Sequence, residues 1–101
     1  MTFERIMGLE VSDDAQYDIY REQMEPLLLK VGGSFGYDFK VEQVLRSKTP
    51  DPINRVFTIE FPRQRVMDDF FTSDEYIIIK NKYFNKSVSS KTVIALFERS
   101  E

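Results

Sequence analysis

The residue best suited to proton chemistry lies in one short alternating segment of the chain. Across residues 55–61 the side chains alternate in two sets, and Glu60 belongs to the set that faces away from Phe57 and Phe61. This period of two predicts a strand, which Pro62 ends because proline has no backbone N–H. A carboxylate in an apolar cleft can carry a proton, since burial disfavours its charged form. We therefore predict Glu60 as the candidate catalytic residue; the alternative is a hydrated carboxylate, or one paired with an arginine.

Four further side chains are candidates for ligand binding beside Glu60. Asn54 and Arg55 stand at the start of the same strand, and Asp38 lies on the charged face of an earlier predicted strand. If these two strands are neighbours, Asp38 would form a carboxylate pair with Glu60 or an ion pair with Arg55. A solvated edge strand is the simpler account of Asp38, because charges protect sheet edges. Tyr37 is predicted to orient a ligand oxygen.

Composition excludes several classes of site. The 101 residues include no Cys and no His, which excludes a thiolate nucleophile, a histidine triad and the common zinc sites. We predict no metal site and no cofactor. The net charge of −3 argues against nucleic-acid binding. No apolar run approaches the roughly 20 residues that span a bilayer, and the N-terminus lacks a signal-peptide core, so we expect a single cytoplasmic domain over residues 1–101.

Periodicity predicts the order β-α-β-β-α-β. The predicted strands cover residues 3–11, 35–46, 55–61 and 92–97, with a bulge at Gln43-Val44 and loops at 47–52 and 85–91. The first helix begins at Ser12-Asp13-Asp14, ends at Gly32-Gly33, and is expected to kink or break near Pro26.

A second helical region follows the third strand. It begins with a short amphipathic helix, and the Thr-x-x-Glu spacing at 72–75 predicts the capping box of another helical piece. Tyr76 and Tyr83 fall at core spacing, which favours buried rings with hydroxyl groups at the surface. A basic patch follows without an intervening acid, and a solvated face is its simplest account. It consists of Lys80, Lys82, Lys86 and Lys91.

This order most simply folds into a four-stranded antiparallel sheet with both helical layers on one face. The other face would carry Val56, Thr58 and half of the apolar last strand. The chain has no remaining element to cover that face, and an uncovered apolar face marks an interaction surface. We therefore predict a homodimer formed through the open sheet face.

Several short motifs resemble a small uncharacterised family of the dimeric α/β-barrel superfamily. They are Met24-x-Pro26-Leu27-Leu28, Gly32-Gly33-x-Phe35, Tyr37-Asp38-Phe39, Arg55-Val56-Phe57-x-Ile59-Glu60-Phe61-Pro62, Phe71 and Glu75-Tyr76. The resemblance covers nearly the whole chain and implies ferredoxin-like subunits whose sheets face each other around a cleft. Several enzymatic relatives use Trp and His, which this chain lacks.

Two functions remain open from the sequence. The first is a small-molecule-binding protein or cofactor-free enzyme whose cleft inside the barrel contains Glu60. The second is a non-catalytic dimeric interaction module whose barrel interior is packed with side chains. A pocket of roughly 300 Å³ or more converging on Glu60 would favour the first function.

Overall fold

The computed structural model describes residues 1–100. Its elements are β1 (Thr2–Val11), α1 (Asp14–Lys30), β2 (Ser34–Lys40), β3 (Arg55–Phe61), α2 (Gln64–Thr72), α3 (Asp74–Ile79), a π-helical turn (Lys80–Phe84), α4 (Asn85–Ser87) and β4 (Val88–Arg99). The four strands form one antiparallel sheet in the order β2-β3-β1-β4. The predicted α+β, ferredoxin-like fold is confirmed. No helix within residues 1–100 is long and apolar enough to cross a membrane.

The core lies between the sheet and the helices. Alternate residues of the central strands β1 and β3 supply the sheet side, because successive side chains of a strand point to opposite faces. The buried side chains are Phe3, Met7, Leu9, Val11, Tyr17, Tyr20, Met24, Leu28, Phe57, Ile59, Phe61, Met67, Phe70 and Tyr76. We call this face of the sheet the helix side and the other face the open face.

Helix α1 begins and ends as its sequence predicts. The Asp13 side chain accepts a hydrogen bond from the Gln16 backbone N–H at 3.1 Å. Gly32, whose φ of 83° favours glycine, ends the helix. The predicted break at Pro26 is wrong, since a single helix runs through this residue. Pro26 and Glu22 both lie on the exposed side of α1, so water can reach the carbonyl that the proline leaves without a donor.

Strand β2 is shorter than predicted. It ends at Lys40, and Val41 makes a last backbone hydrogen bond to the Asn54 carbonyl at 2.8 Å before the chain leaves the sheet. Residues 41–46 are therefore not a strand, because β3 begins at Arg55 and has no residues left to form backbone hydrogen bonds with them. The register shift lies between Phe35 and Asp38, and not at Gln43-Val44.

The second helical region differs from the prediction in two respects. Ser73, and not Thr72, caps α3, since its side-chain oxygen accepts from the Tyr76 N–H at 3.3 Å. Strand β4 begins at Val88 instead of Thr92, because the long strand β1 continues the pairing as far as Val11. The polar residues that indicated a loop at 85–91 instead form α4 and the start of the edge strand β4.

The loop between β2 and β3 covers part of the open face. The Ser90 hydroxyl donates a hydrogen bond to the Pro52 carbonyl at 2.7 Å. Beside it, Ile53 occupies the space above Gly8, where an added Cβ would lie 2.8 Å from Ile53 Cδ1. The expectation that the chain has nothing to cover this face is therefore wrong for the end of the sheet near Gly8.

Candidate functional site

Glu60 lies on the open face, as predicted from the strand alternation. Its carboxylate accepts a hydrogen bond from the Ser34 hydroxyl at 3.2 Å, and its cross-strand neighbour on β1 is Glu4. Glu60 lines neither of the cavities described below. Its place in the fold is thus a half-buried position with a polar neighbour, outside both of those cavities.

Asp38 and Arg55 pair with each other on the helix side. Arg55 donates two hydrogen bonds to the Asp38 carboxylate, at 2.8 and 2.9 Å, and Arg21 adds a third at 3.2 Å. The Arg55 hydrogen bonds lower the pKa of Asp38, while Asp38 raises the pKa of Arg55. Of the two predicted arrangements, the carboxylate–guanidinium pair forms, and the pair with Glu60 does not.

The irregularity in β2 explains this separation. Phe35 pairs with Ile59 and Asp38 pairs with Phe57, so two residues three positions apart point to the same face. An extra residue in one strand reverses the alternation beyond it. The predicted site is therefore divided by the sheet, with Asp38 and Arg55 on one side and Glu60 on the other.

The two remaining candidates, Asn54 and Tyr37, also line neither cavity. The Asn54 side chain accepts from the Val11 N–H at 2.8 Å and donates to the Val11 carbonyl at 3.0 Å, so it extends the pairing of β1. Tyr37 is 65% exposed and stacks on Phe39, with ring centroids 5.8 Å apart. Its backbone N–H donates to the Thr58 hydroxyl on the open face at 2.7 Å. Asn54 has a structural role, and Tyr37 belongs to an exposed aromatic surface.

A cavity of about 140 Å³ lies on the helix side, between the sheet and the helices. All four strands, helices α1, α2 and α3 and the π-helical turn contribute to it. Its lining comprises Arg5, Met7, Leu9, Tyr17, Tyr20, Arg21, Met24, Phe35, Phe57, Ile59, Phe71, Tyr76, Lys80, Phe84 and Lys91. The π-helical turn supplies Lys80 and Phe84, and such turns within helices occur frequently at functional sites. We refer to it as the helix-side cavity.

The helix-side cavity is lined by four cationic residues and no carboxylate. Arg5 projects from the central strand between the buried residues Phe3 and Met7, and burial lowers its pKa. Its guanidinium lies 4.9 Å from the centroid of the Phe71 ring and forms no ion pair within residues 1–100. Burial, followed by the nearby charges of Lys80 and Arg5, lowers the pKa of Lys91. The cavity lining therefore carries more positive than negative charge.

Arg21 is held more firmly than Arg5. Its Nε donates to the Tyr17 hydroxyl at 2.8 Å, and its guanidinium stacks over the Phe35 ring at 3.9 Å. One terminal nitrogen, Nη2, is buried without a hydrogen-bond partner among the described residues. Burial raises the pKa of Tyr17, and the charge of Arg21 opposes this shift. Arg21 thus combines a structural role with one unused buried donor.

Tyr20 and Tyr76 form a buried hydroxyl pair in the cavity wall. Their oxygens lie 2.8 Å apart, and either group can be the donor. Burial raises the pKa of both, and Tyr20 is raised well above its ordinary value. The prediction that the Tyr76 hydroxyl reaches the surface is wrong, since this side chain is only 5% exposed.

A second depression lies between the end of α1 and helices α2 and α3. Its volume of about 330 Å³ is larger, but it is more open to solvent. Lys30, Asp69 and Glu75 carry charges of both signs along its edge. The smaller cavity therefore has the more distinctive chemistry, because its charges have one sign and its hydroxyl pair is buried.

Sequence reasoning missed most of the helix-side cavity. A signal was present in β1, where Arg5 interrupts an otherwise apolar alternation of Phe3, Met7 and Leu9. No comparable signal marked Lys80 and Lys91, which the prediction treated as solvated charges. Their proximity depends on how the π-helical turn and β4 meet above the sheet.

Comparison with known proteins places the chain in a family. Residues 5–97 match the family described as Domain of unknown function (DUF1330). The chain belongs to this family. No curated protein matches it in sequence. This match confirms the predicted membership of a small uncharacterised family. The structural neighbours of the chain include a protein of the dimeric α/β-barrel superfamily.

Solved structures share the fold at low sequence identity. RPA0582, a protein of unknown function from Rhodopseudomonas palustris, is 14% identical with a TM-score of 0.81, covering 99% of this chain and 83% of that chain. A DABB family protein with a ferredoxin-like fold from Mesorhizobium loti is 10% identical with a TM-score of 0.62, covering 99% and 98%. A dimeric protein of unknown function with a ferredoxin-like fold from Bacteroides fragilis is 14% identical with a TM-score of 0.55, covering 97% and 96%. These similarities bear on the fold alone.

Proposed function

We propose that this protein binds a small organic anion in the helix-side cavity. The observation that carries the proposal is the cavity lining, which contains four cationic residues and no carboxylate among otherwise aromatic and aliphatic side chains. Pockets that combine apolar walls with a few polar groups are the usual form of small-molecule sites. The proposal transfers the predicted ligand site from the open face around Glu60 to the opposite side of the sheet.

The position of Arg5 supports a negatively charged ligand. A half-buried guanidinium on the central strand loses hydration and has no ion-pair partner in the described structure; the nearby charge of Asp68 only partly offsets the effect of burial on its pKa. A ligand anion would supply that counter-charge. Lys80 and Lys91 would add to the attraction, since both line the same cavity.

The volume supports a ligand of about one ring. The cavity measures about 140 Å³, close to the ~150 Å³ of an engineered protein cavity that binds benzene. Phe35, Phe57 and Phe71 line it, and the Phe35 and Phe57 rings meet edge to face at 5.6 Å. A planar apolar body fits such walls, because aromatic rings favour offset and edge-to-face contacts.

A series of matched benzene derivatives tests the charge requirement. Isothermal titration calorimetry would compare benzoate, neutral benzamide and cationic benzylamine. We expect benzoate to bind at least about tenfold more tightly than benzamide, because a charge-assisted hydrogen bond contributes roughly 1.5–3 kcal/mol. Benzylamine should not bind. Equal affinity for the three compounds, or binding of none of them, would exclude the proposal.

Two variants locate the binding site. Arg5→Met keeps an unbranched apolar side chain and removes the guanidinium charge, and we expect it to weaken benzoate binding roughly tenfold or more. Lys82→Met is the matched control, because Lys82 neighbours the cavity in sequence but does not line it. A control variant that loses as much affinity as Arg5→Met would contradict the assignment.

We further propose that the protein forms a homodimer through its open face. Tyr37 and Phe39 stack there with 65% and 55% of their surfaces exposed, and Phe97 on β4 is also exposed. Exposed aromatic patches of this kind are typical of interaction surfaces. A structural neighbour from Bacteroides fragilis is described as dimeric, which favours the same assembly.

The dimer also supports a second function, a non-catalytic interaction module. In that case the open face would be the functional surface and the helix-side cavity would have no ligand. Analytical ultracentrifugation together with the benzene-derivative titrations separates the two functions. A dimer that binds none of the anions would favour the module, whereas anion binding that depends on Arg5 favours the ligand site. The cytoplasmic location stays a sequence-based prediction.

A further inference from the structure

Tyr20 and Tyr76, whose buried hydroxyl groups pair with each other, both line the helix-side cavity. We infer that this pair is an oxyanion subsite: the ligand presents a phenol or enol oxygen, which loses its proton on binding and is held as the oxyanion by a tyrosine O–H. The inference rests on the proposed function, since it names the chemical class of the anion. It goes further by assigning the charged oxygen to the tyrosines.

The Tyr20–Tyr76 pair has one hydroxyl proton that forms no hydrogen bond. The two hydroxyl groups carry two protons, and the single 2.8 Å bond between them uses one. Neither hydroxyl has another hydrogen-bond partner within residues 1–100. Both side chains are buried, and a buried hydroxyl without an acceptor costs about 1–3 kcal/mol. A ligand oxygen would satisfy the remaining proton.

The surroundings favour a negative oxygen at this place. Arg5 lines the same cavity, and Lys80 and Lys91 line it without any carboxylate to neutralise them. Because burial raises the pKa of Tyr20 and Tyr76, both stay protonated near neutral pH and act as donors. One spare donor matches a single oxyanion better than a carboxylate, whose two oxygens accept several hydrogen bonds.

The exposure of the lining residues indicates how a ligand would be oriented in the cavity. Tyr20 and Tyr76 are buried, Arg5 and Lys80 are half-buried, and Lys91 is exposed. A ring that points its phenol or enol oxygen inward would therefore meet neutral donors first, with cations nearer the solvent. In the binding step the ligand O–H bond breaks and its proton leaves to water, so no oxidant or second substrate is needed.

Absorbance spectroscopy with para-nitrophenol tests this inference, because the phenolate of this compound is coloured and the phenol is not. The titration is done about one pH unit below the pKa of the free phenol. We expect added protein to raise the phenolate band, with phenolate bound at least about tenfold more tightly than phenol. para-Nitroanisole, which cannot ionise, should bind at least about tenfold more weakly. para-Nitrobenzoate serves as the carboxylate comparison.

Tyrosine variants assign the effect to the pair. The double variant Tyr20→Phe/Tyr76→Phe removes both hydroxyls together and leaves no unpaired partner, so it should weaken phenolate binding roughly tenfold and change nitrobenzoate binding less than about twofold. Tyr83→Phe is the control, because Tyr83 does not line the cavity. Tyr76→Phe alone leaves the Tyr20 O–H free to donate to the ligand, so it should weaken phenolate binding less than the double variant does.

The outcomes separate the two proposals. Nitrobenzoate binding without a rise in the phenolate band would overturn the oxyanion subsite and leave the anion site intact. A phenolate band that rises equally with the wild type and the double variant would also overturn the subsite. Absence of binding by both anions would overturn the subsite together with the proposed function.

Discussion

The two faces of the sheet differ in the charge that strand β1 places on each, as well as in their burial. Glu4 and Arg5 are neighbours in sequence, yet Arg5 lines the helix-side cavity while Glu4 pairs across the open face with Glu60. The Glu4 carboxylate bonds to Arg99 at 3.3 Å, and Arg5 has no such partner. The alternation of β1 places the Arg5 cation and the Glu4 carboxylate on opposite faces of the sheet. A strand can therefore hold a cation beside an acid in sequence and still leave the cation available to a ligand.

The helix side supplies the stability of the fold, so its core should respond most strongly to truncation. Phe61 is 1% exposed and packs against Phe70 and Phe71 with ring centroids 5.7 and 5.6 Å away. We expect Phe61→Ala to lower the free energy of unfolding by about 3–5 kcal/mol, measured by urea denaturation. Phe39→Ala on the open face should change monomer stability by less than about 0.5 kcal/mol. Similar losses for both variants would contradict the distinction between the faces.

The open face should instead control assembly. Phe39→Glu places a charge on the exposed aromatic surface, and we expect it to raise the dimer dissociation constant at least about 30-fold, equivalent to roughly 2 kcal/mol. Sedimentation velocity across a concentration series measures this change. Leu29→Glu is the control, because Leu29 is an exposed apolar residue of α1, away from the open face. If Leu29→Glu dissociates the dimer and Phe39→Glu does not, the interface is formed by the helices and not by the open face.

Two arginines of the helix-side cavity should respond in opposite ways. Arg21→Met removes the hydrogen bonds to Tyr17 and Asp38, and we expect a loss of about 1–3 kcal/mol. Arg5→Met removes a half-buried charge that has no partner in the described structure, so stability should stay unchanged or rise by up to about 1 kcal/mol. Thermal and urea unfolding of both variants check the difference. A large loss for Arg5→Met would mean that its charge stabilises the fold.

The ion pair of Asp38 should have the smallest effect, visible mainly in acid. Its folded-state pKa is lowered by Arg55, so the ionised carboxylate contributes stability above the unfolded-state pKa and loses it as pH falls through the folded-state pKa. Because solvent reaches 31% of the Asp38 side chain and screens the ion pair, we expect about 1 kcal/mol or less. In urea unfolding at several pH values, the free energy of unfolding of Asp38→Asn should fall less steeply with decreasing pH than that of the wild type. Asp51→Asn, which alters an exposed loop acid, should leave this pH dependence unchanged.

The fold was predictable because its signals are local. Strand β3 has the bounds given by its alternation, and Asp13 and Gly32 mark the ends of α1. The predicted lengths of β2 and β4 were wrong because the length of each strand depends on the neighbouring strand with which it pairs. The apolar residues after Lys40 indicated more strand than β3 could pair, and the polar residues after Val88 concealed a strand that β1 did pair.

The candidate site was less predictable because it combines residues from distant segments. Asp38 and Arg55 were expected to pair as one alternative, and they do. Their separation from Glu60 depends on the irregular pairing between Phe35 and Asp38, which no local pattern located. The hydroxyl pair joins residues 56 positions apart in the chain.

The sequence by itself determined the order of strands and helices, the face that each central strand buries, and the absence of thiol and imidazole chemistry. These follow from side-chain periodicity and composition, which act over a few residues. Only the tertiary structure decided that Arg5, Lys80 and Lys91 share a cavity and that Tyr20 meets Tyr76. Such meetings depend on how separate elements pack, and the packing direction of a helix over a sheet is a property of the whole chain.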